Sequence, residues 1–251
     1  MFLAILCCGV ALIGVAYLSS SFSPRQPSTV ALDIGFTGLR ISLVLFVITL
    51  VQELVGKEID RRTVILTFSY PVRRSAYVLG RYLGVVFLSA LAAVALALLL
   101  LLVVFAAGWS YESDFGVQLG LPYWATVFAL WLDACVVAAF VLCIASLSTV
   151  SSLPLMLGLV FAVAGKALGS VADYLAHGAD GDTEMVQQFS GFVDAIFLLL
   201  PDLSRLDWRV WPMYGVAPDG GAMILSVIMA VAYIALMIAA AVWMLSRREF
   251  A

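Results

Sequence analysis

Three ionisable residues lie inside long apolar runs, where they could contact a transported solute or hold helices together: Arg40, Asp133 and Lys166. A charge at membrane depth costs roughly 2.5 to 3.5 kcal/mol on insertion scales, so it usually faces a bundle interior or a water-filled cavity and has a partner. We therefore expect Asp133 to pair with Lys166 or Arg40. A structural ion pair and a contact on a transport pathway are both open interpretations of these residues.

The other reactive residue types do not assemble a catalytic or metal site. The single histidine, His177, lies in a loop with acids but without a second His or Cys, so we predict no metal site. The Gly158 to Lys166 run lacks the spacing of a phosphate-binding loop, and Ala167 stands where Ser or Thr is required. We predict that the chain is not an enzyme, holds no cofactor of its own and binds no nucleic acid.

The elements that carry these residues are membrane spans. The sequence is 64% hydrophobic and only 12% charged, with a mean hydropathy of +1.11, whereas soluble domains are about half apolar and about a quarter charged. The apolar runs are unbroken rather than alternating, which excludes a transmembrane barrel, and each approaches the roughly 20 residues that a helical span needs. We predict an all-α polytopic membrane protein, a single transmembrane domain with six spans at residues 2–18, 34–55, 82–107, 122–147, 153–169 and 222–245.

The longest segment outside these spans covers residues 170–220. Within it, the apolar run from Phe192 to Pro201 is too short to cross a bilayer. We predict that this run forms a re-entrant or interfacial helix in a segment on the outer side of the membrane.

Residues 53–81, called the basic stretch below, fix the predicted orientation. They hold six Lys and Arg against three acids, while the segments after spans one, three and five hold three basic residues in total. By the positive-inside rule, the basic stretch and both termini are cytoplasmic. We therefore predict a multi-pass protein of the cell (inner) membrane.

Local patterning divides the basic stretch into two parts. Apolar and charged residues interleave over residues 58–69, which predicts a short amphipathic helix that lies in the membrane plane or docks into a groove. Tyr70 precedes Pro71, so the chain should turn there, and Pro71 can open the helix that leads into span three. The alternative is an ordinary basic loop that only fixes topology and contacts anionic lipid.

The residue pattern of the basic stretch resembles the cytoplasmic loop of permease subunits of type-2 ABC transporters. In that family the loop reads as an acid, a basic residue followed by Thr, a Pro, an Arg, and a Gly with a basic residue. The six-span layout is similar as well, and LLLPDLSRLDWR is similar to an outer sequence in the subgroup of nitrous-oxide-reductase maturation permeases. The matching positions are Glu53, Glu58, Arg62, Thr63, Pro71, Arg74, Gly80 and Arg81.

The resemblance implies that residues 58–69 form a coupling helix seated in a cleft of a separate cytoplasmic ABC ATPase, which would bind ATP and Mg. The eight matching residues would transmit its motion, and alternating access would export or extract a substrate. The resemblance also implies a dimer with a second copy or a sister permease, in contact with membrane lipids and with a candidate partner on the outer face. GxxxG spacings at Gly80–Gly84 and Gly165–Gly169 are candidate helix contacts in such a dimer.

Two other functional classes stay open from the sequence. One is an ion-coupled secondary transporter that uses Asp133. The other is a membrane scaffold for an assembly on the outer face.

Overall fold

The computed structural model describes residues 2–22, 26–56, 74–108, 116–148, 150, 152–176 and 200–247. Over these ranges the chain is helical and contains no strand. A π-helical turn at Gln52–Gly56 continues α2, and a 3-10 turn at Leu203–Leu206 precedes α6. The α-helices are α1 (Phe2–Ser21), α2 (Pro27–Val51), α3 (Arg74–Gly108), α4 (Leu121–Leu147), α5 (Leu153–Ala176), α6 (Val210–Tyr214) and α7 (Gly220–Arg247).

Helix length and composition confirm an all-α, multi-pass membrane protein. Four segments among the described residues are long and apolar enough to cross a membrane: Pro27–Leu54, Ser75–Ala107, Leu121–Leu147 and Gly220–Arg247. Two shorter apolar helices, Ile5–Ser21 and Leu153–Gly169, lie within α1 and α5. The count of six spans therefore stays a prediction.

Helices α2 and α5 each extend seven residues beyond one bound of the predicted span. Helix α2 begins at Pro27 rather than at residue 34, because a proline in the first turn costs no hydrogen bond and because Asp33 is paired with Arg209 instead of ending the helix. Helix α5 continues to Ala176 rather than ending at residue 169, since residues 170–176 contain no Gly or Pro that would stop it. The first part of the predicted outer segment is thus helical.

The two predicted short helices cannot be compared with the structure. The in-plane helix at residues 58–69 lies outside the described residues, and so does the Phe192 to Pro201 run except for its last two residues. Both stay predictions.

The core lies between α2 and α4. Helix α2 contacts α1, α3, α4 and α5, and α4 contacts α2, α3, α5 and α7. Phe36 of α2 and Tyr123 of α4 are fully buried, with ring centroids 5.5 Å apart. The Tyr123 hydroxyl donates to the Ala97 carbonyl oxygen of α3 at 2.5 Å, which satisfies its polar atom inside the bundle. The two central helices therefore position whatever side chains they share.

Two glycines of α5 allow the 3-10 turn to lie directly against that helix. A Cβ on Gly169 would overlap the Ser204 hydroxyl, and one on Gly165 would come within 2.7 Å of the Leu203 side chain. This GxxxG spacing therefore packs within the chain, which corrects its assignment as a dimer contact. Gly80 and Gly84 have no described atom within 4 Å of the Cβ position, so a contact between chains there stays a prediction.

Candidate functional site

A buried ion pair joins the two central helices. The Arg40 side chain of α2 donates through Nε to Oδ2 of Asp133 of α4 at 2.6 Å. The side chains are 15% and 2% exposed, respectively. Of the two partners predicted for Asp133, the structure places Arg40 against it.

This pair leaves polar atoms without hydrogen-bond partners. Arg40 Nη2 and Asp133 Oδ1 are buried and have no partner among the described residues. An unsatisfied buried polar group costs about 1 to 3 kcal/mol, more when it is charged. Arg40 and Asp133 are therefore joined by one hydrogen bond. A guanidinium and a carboxylate often form two parallel hydrogen bonds.

A second network connects α5 and the segment before α6 to α2. Lys166 Nζ donates to Asp207 Oδ2 at 2.5 Å, and Arg209 Nε donates to Asp207 Oδ1 at 2.7 Å. Arg209 Nη1 also donates to Asp33 Oδ1 at 2.9 Å and to Thr37 Oγ1 at 3.0 Å, both on α2. One carboxylate thus bridges two cations, and one of these cations reaches back to α2.

Asp207 and Arg209, which lie outside the predicted spans, are stabilised in their ionised forms. Burial raises the pKa of the Asp207 carboxyl, but hydrogen bonds from Lys166 and Arg209 outweigh burial and hold the pKa below its usual value. Burial lowers the pKa of Arg209, but Asp207 and Asp33 raise it above its usual value. This bridging carboxylate is therefore ionised at neutral pH.

We call these side chains together the charge cluster. It contains three acids and three bases, so its formal charge is zero: Asp33, Arg40, Asp133, Lys166, Asp207 and Arg209. Sequence reasoning found the three members inside apolar runs and missed the other three, which it had assigned to loops. The only signal for two of them was the Asp-Trp-Arg run at residues 207–209, in which both charges flank an aromatic residue.

Part of the predicted coupling site is described. Glu53 lies in the π-helical turn, which contacts α4 and α5, and single π-helical turns occur frequently at functional sites. Gly80 and Arg81 lie in the second turn of α3, where the Arg81 guanidinium is 5.4 Å from the Tyr77 ring centroid. Arg74 is the first residue of α3. The remaining predicted coupling residues lie outside the described part of the chain: Glu58, Arg62, Thr63 and Pro71.

The helices, the buried charges and the basic stretch define a multi-pass helical membrane protein. Residues 29–157 match the family described as ABC-2 family transporter protein, which is just over half of the 251 residues. The chain therefore belongs to the ABC-2 transporter family. Membership indicates a permease subunit of an ABC transporter and implies, for the family in general, an ABC ATPase partner. No curated protein sequence matches the chain.

The family match confirms the resemblance to type-2 ABC permeases. The finer subgroup, the permeases of nitrous-oxide-reductase maturation, stays a prediction.

Proposed function

We propose that this chain is the membrane subunit of an ABC transporter in which a separate cytoplasmic ATPase drives alternating access. The observation that carries the proposal is the family match, which includes the whole basic stretch at residues 53–81. The match fits the local structure, because the basic stretch begins in the π-helical turn that contacts α4 and α5. A force on the basic stretch would therefore reach α2, α4 and α5 together.

Helix α2 is suited to carry that force across the membrane. Arg40 and Glu53 are separated by 13 residues, which at 1.5 Å per residue is about 20 Å of continuous helix and π-helical turn. One end of α2 therefore continues into the coupling region, Arg40 of the charge cluster lies at its middle, and Asp33 lies in its other half. Motion of the basic stretch would change the geometry of the Arg40–Asp133 pair.

The charge cluster would hold the bundle closed from the middle of α2 and α4, where Arg40 and Asp133 pair, toward the end opposite the basic stretch. It ties α2 to α4 through Arg40, and α2 to α5 through Arg209, Asp207 and Lys166. If ATP closes the ATPase dimer and the helices separate at this end, these contacts must break and then form again. Rearrangement of packed helices between two discrete arrangements is a common form of such a switch.

Charge reversal in the basic stretch tests the proposal. Glu58→Lys and Arg62→Glu should leave the chain in the membrane but abolish ATPase co-purification, or uncouple ATP hydrolysis from transport. Arg247→Glu, at the end of α7 on the same predicted face, is the matched control and should retain the ATPase. Normal ATP-dependent transport by both loop variants would contradict the proposal, as would ion-coupled uptake by the purified chain alone.

A further inference from the structure

A cavity lies between α2 and α5, beside the charge cluster. Its volume is about 390 Å³, within the roughly 300 to 1,000 Å³ of small-molecule pockets. Its wall combines two cations with apolar side chains, and the residues that matter for its chemistry are Arg40, Val44, Leu45, Leu159, Val163 and Lys166.

The two cations lie at the same end of this cavity. Helices α2 and α5 run antiparallel, since the Cβ position of Gly158 is 3.4 Å from Ile48, whereas Lys166 joins the network that reaches Asp33. Arg40 and Lys166 therefore mark one end, and Leu45 and Leu159 mark the other. From Lys166 to Leu159 the wall extends about 10 Å at 1.5 Å per residue.

The charges that face the cavity are all positive among the described residues. Asp133 and Asp207 bond to Arg40 and Lys166 but do not line the cavity. The Lys166 ammonium has three donors and stays 31% exposed after it bonds to Asp207. Arg40 stays 15% exposed after it bonds to Asp133. Both cations can therefore bind an additional anionic ligand.

The cavity opens on the side of the bundle along its whole length. Ile41 at the cationic end is 46% exposed, Val163 is 69% exposed, and Leu159 at the apolar end is 36% exposed. With α2 as a candidate span and α5 as a predicted one, such an opening faces the hydrocarbon of the bilayer. A soluble anion would leave this apolar wall uncovered, and water does not stably fill apolar cavities.

We propose that the cavity binds an anionic amphiphile, with its phosphate or carboxylate at Arg40 and Lys166 and its hydrocarbon chain along Val44, Leu159 and Val163. A zwitterionic lipid fits less well, because its own cation would meet Arg40 and Lys166, whereas their counter-ions Asp133 and Asp207 do not line the cavity. The proposal does not depend on the ATPase, since it rests on the cavity alone.

Photo-crosslinking of the full chain tests this assignment. The chain is placed in phosphatidylcholine nanodiscs that contain diazirine-tagged phosphatidylglycerol, palmitate or phosphatidylcholine. The two anionic probes represent a phospholipid and a free fatty acid, and the stronger of them identifies the source. We expect labelling at residues 41–45 and 159–163, with competition by the untagged anion. Equal labelling of these residues by the phosphatidylcholine probe would overturn the proposal.

A variant that fills the cavity separates binding from folding. Ala167 lines the cavity and is exposed, so Ala167→Phe should leave the fold intact and lower labelling by about tenfold, equivalent to about 1.4 kcal/mol. Ala232→Phe adds the same ring to an exposed position of α7 and is the matched control. Equal labelling of the two variants would contradict the proposed location.

Charge variants decide whether Lys166 contacts the ligand or only holds Asp207. Lys166→Gln should weaken labelling by about tenfold, as expected for the loss of a charge-assisted hydrogen bond, and Lys166→Arg should restore it. Asp207→Asn removes the partner but keeps the cation, so labelling should persist or increase. If Asp207→Asn loses as much labelling as Lys166→Gln, Lys166 has only a structural role and the proposal fails.

Discussion

The buried pair of Arg40 and Asp133 predicts strongly non-additive effects on stability. The perturbations are Arg40→Gln, Asp133→Asn and the double variant. Each single change leaves the other charge without its counter-ion at a position that is at most 15% exposed. The double change removes both charges and leaves two amide side chains that can bond to each other.

The expected magnitudes follow from this burial. Breaking a buried pair by removing one partner costs about 3 to 5 kcal/mol because a buried charge stays uncompensated, whereas replacing both partners, as shown for apolar residues of similar volume, leaves no such charge and is often nearly neutral. Each single variant should therefore lose about 3 to 5 kcal/mol of the free energy of unfolding, and the double variant should lose less than either. Interaction energies of contacting residues commonly reach about 3 kcal/mol, so the difference is large enough to measure.

The assay is unfolding of the purified chain in mixed micelles by a denaturing detergent, followed by tryptophan fluorescence. The control is Arg205→Gln, because Arg205 is 56% exposed in its pair with Asp202 and such pairs contribute about 0 to 1 kcal/mol. If Arg40→Gln costs no more than the control, or if the two single costs add in the double variant, the interpretation of this pair as a buried structural contact is wrong.

Three further predictions follow from the same contacts. Gly169→Ala should cost about 1 to 3 kcal/mol, because the added methyl group overlaps the Ser204 hydroxyl, whereas Gly84→Ala, with open space at its Cβ position among the described residues, should be neutral or stabilise by up to about 1 kcal/mol; equal effects in detergent unfolding would contradict the packing. The lowered pKa of Asp207 means that its contribution to stability is present above about pH 4, the ordinary Asp value, and is lost as the pH falls through the folded-state pKa. Melting temperatures of the wild type and Asp207→Asn should therefore converge in acid, and a constant difference would count against this account. Asp133→Asn should impair assembly or transport-coupled ATPase activity, and unchanged values of both would exclude a structural role and a pathway role alike.

Helix bounds could be predicted from sequence where local signals are strong. Helix α4 begins within one residue of the prediction and ends at the predicted residue, because Pro122 marks its start and a polar run follows Leu147. Helix α2 starts seven residues before the predicted span, and the added residues include the charged Asp33. The side chain that compensates Asp33 is Arg209, which is 176 residues away in the sequence. A sequence pattern around Asp33 therefore could not reveal that its charge is compensated.

The candidate site was predictable to a similar extent. Charges inside apolar runs identified Arg40, Asp133 and Lys166, since isolated charges are costly in a bilayer. Which of Arg40 and Lys166 pairs with Asp133 depends on how each helix is rotated about its axis and how deep it lies in the bundle. Helix packing determines both, and the hydrophobic periodicity of the sequence does not predict them. Asp207 was missed for the same reason, because its role depends on the Gly165–Gly169 face of α5, against which the 3-10 turn packs.

The segment that matches the family contains only some residues of the charge cluster. Residues 29–157 contain the basic stretch, Arg40 and Asp133, but not Lys166 or Asp207. The proposed path from the basic stretch to the buried pair thus lies within the matched residues, whereas Lys166, the cation that α5 contributes to the cavity, lies beyond them. Residues that transmit force must work with the ABC ATPase that the family in general implies. Residues that line the cavity must instead match the ligand of this particular protein. Variants of Lys166 therefore test ligand recognition outside the matched segment, whereas Arg40 lies within it and belongs both to the proposed binding site and to the proposed transmission path.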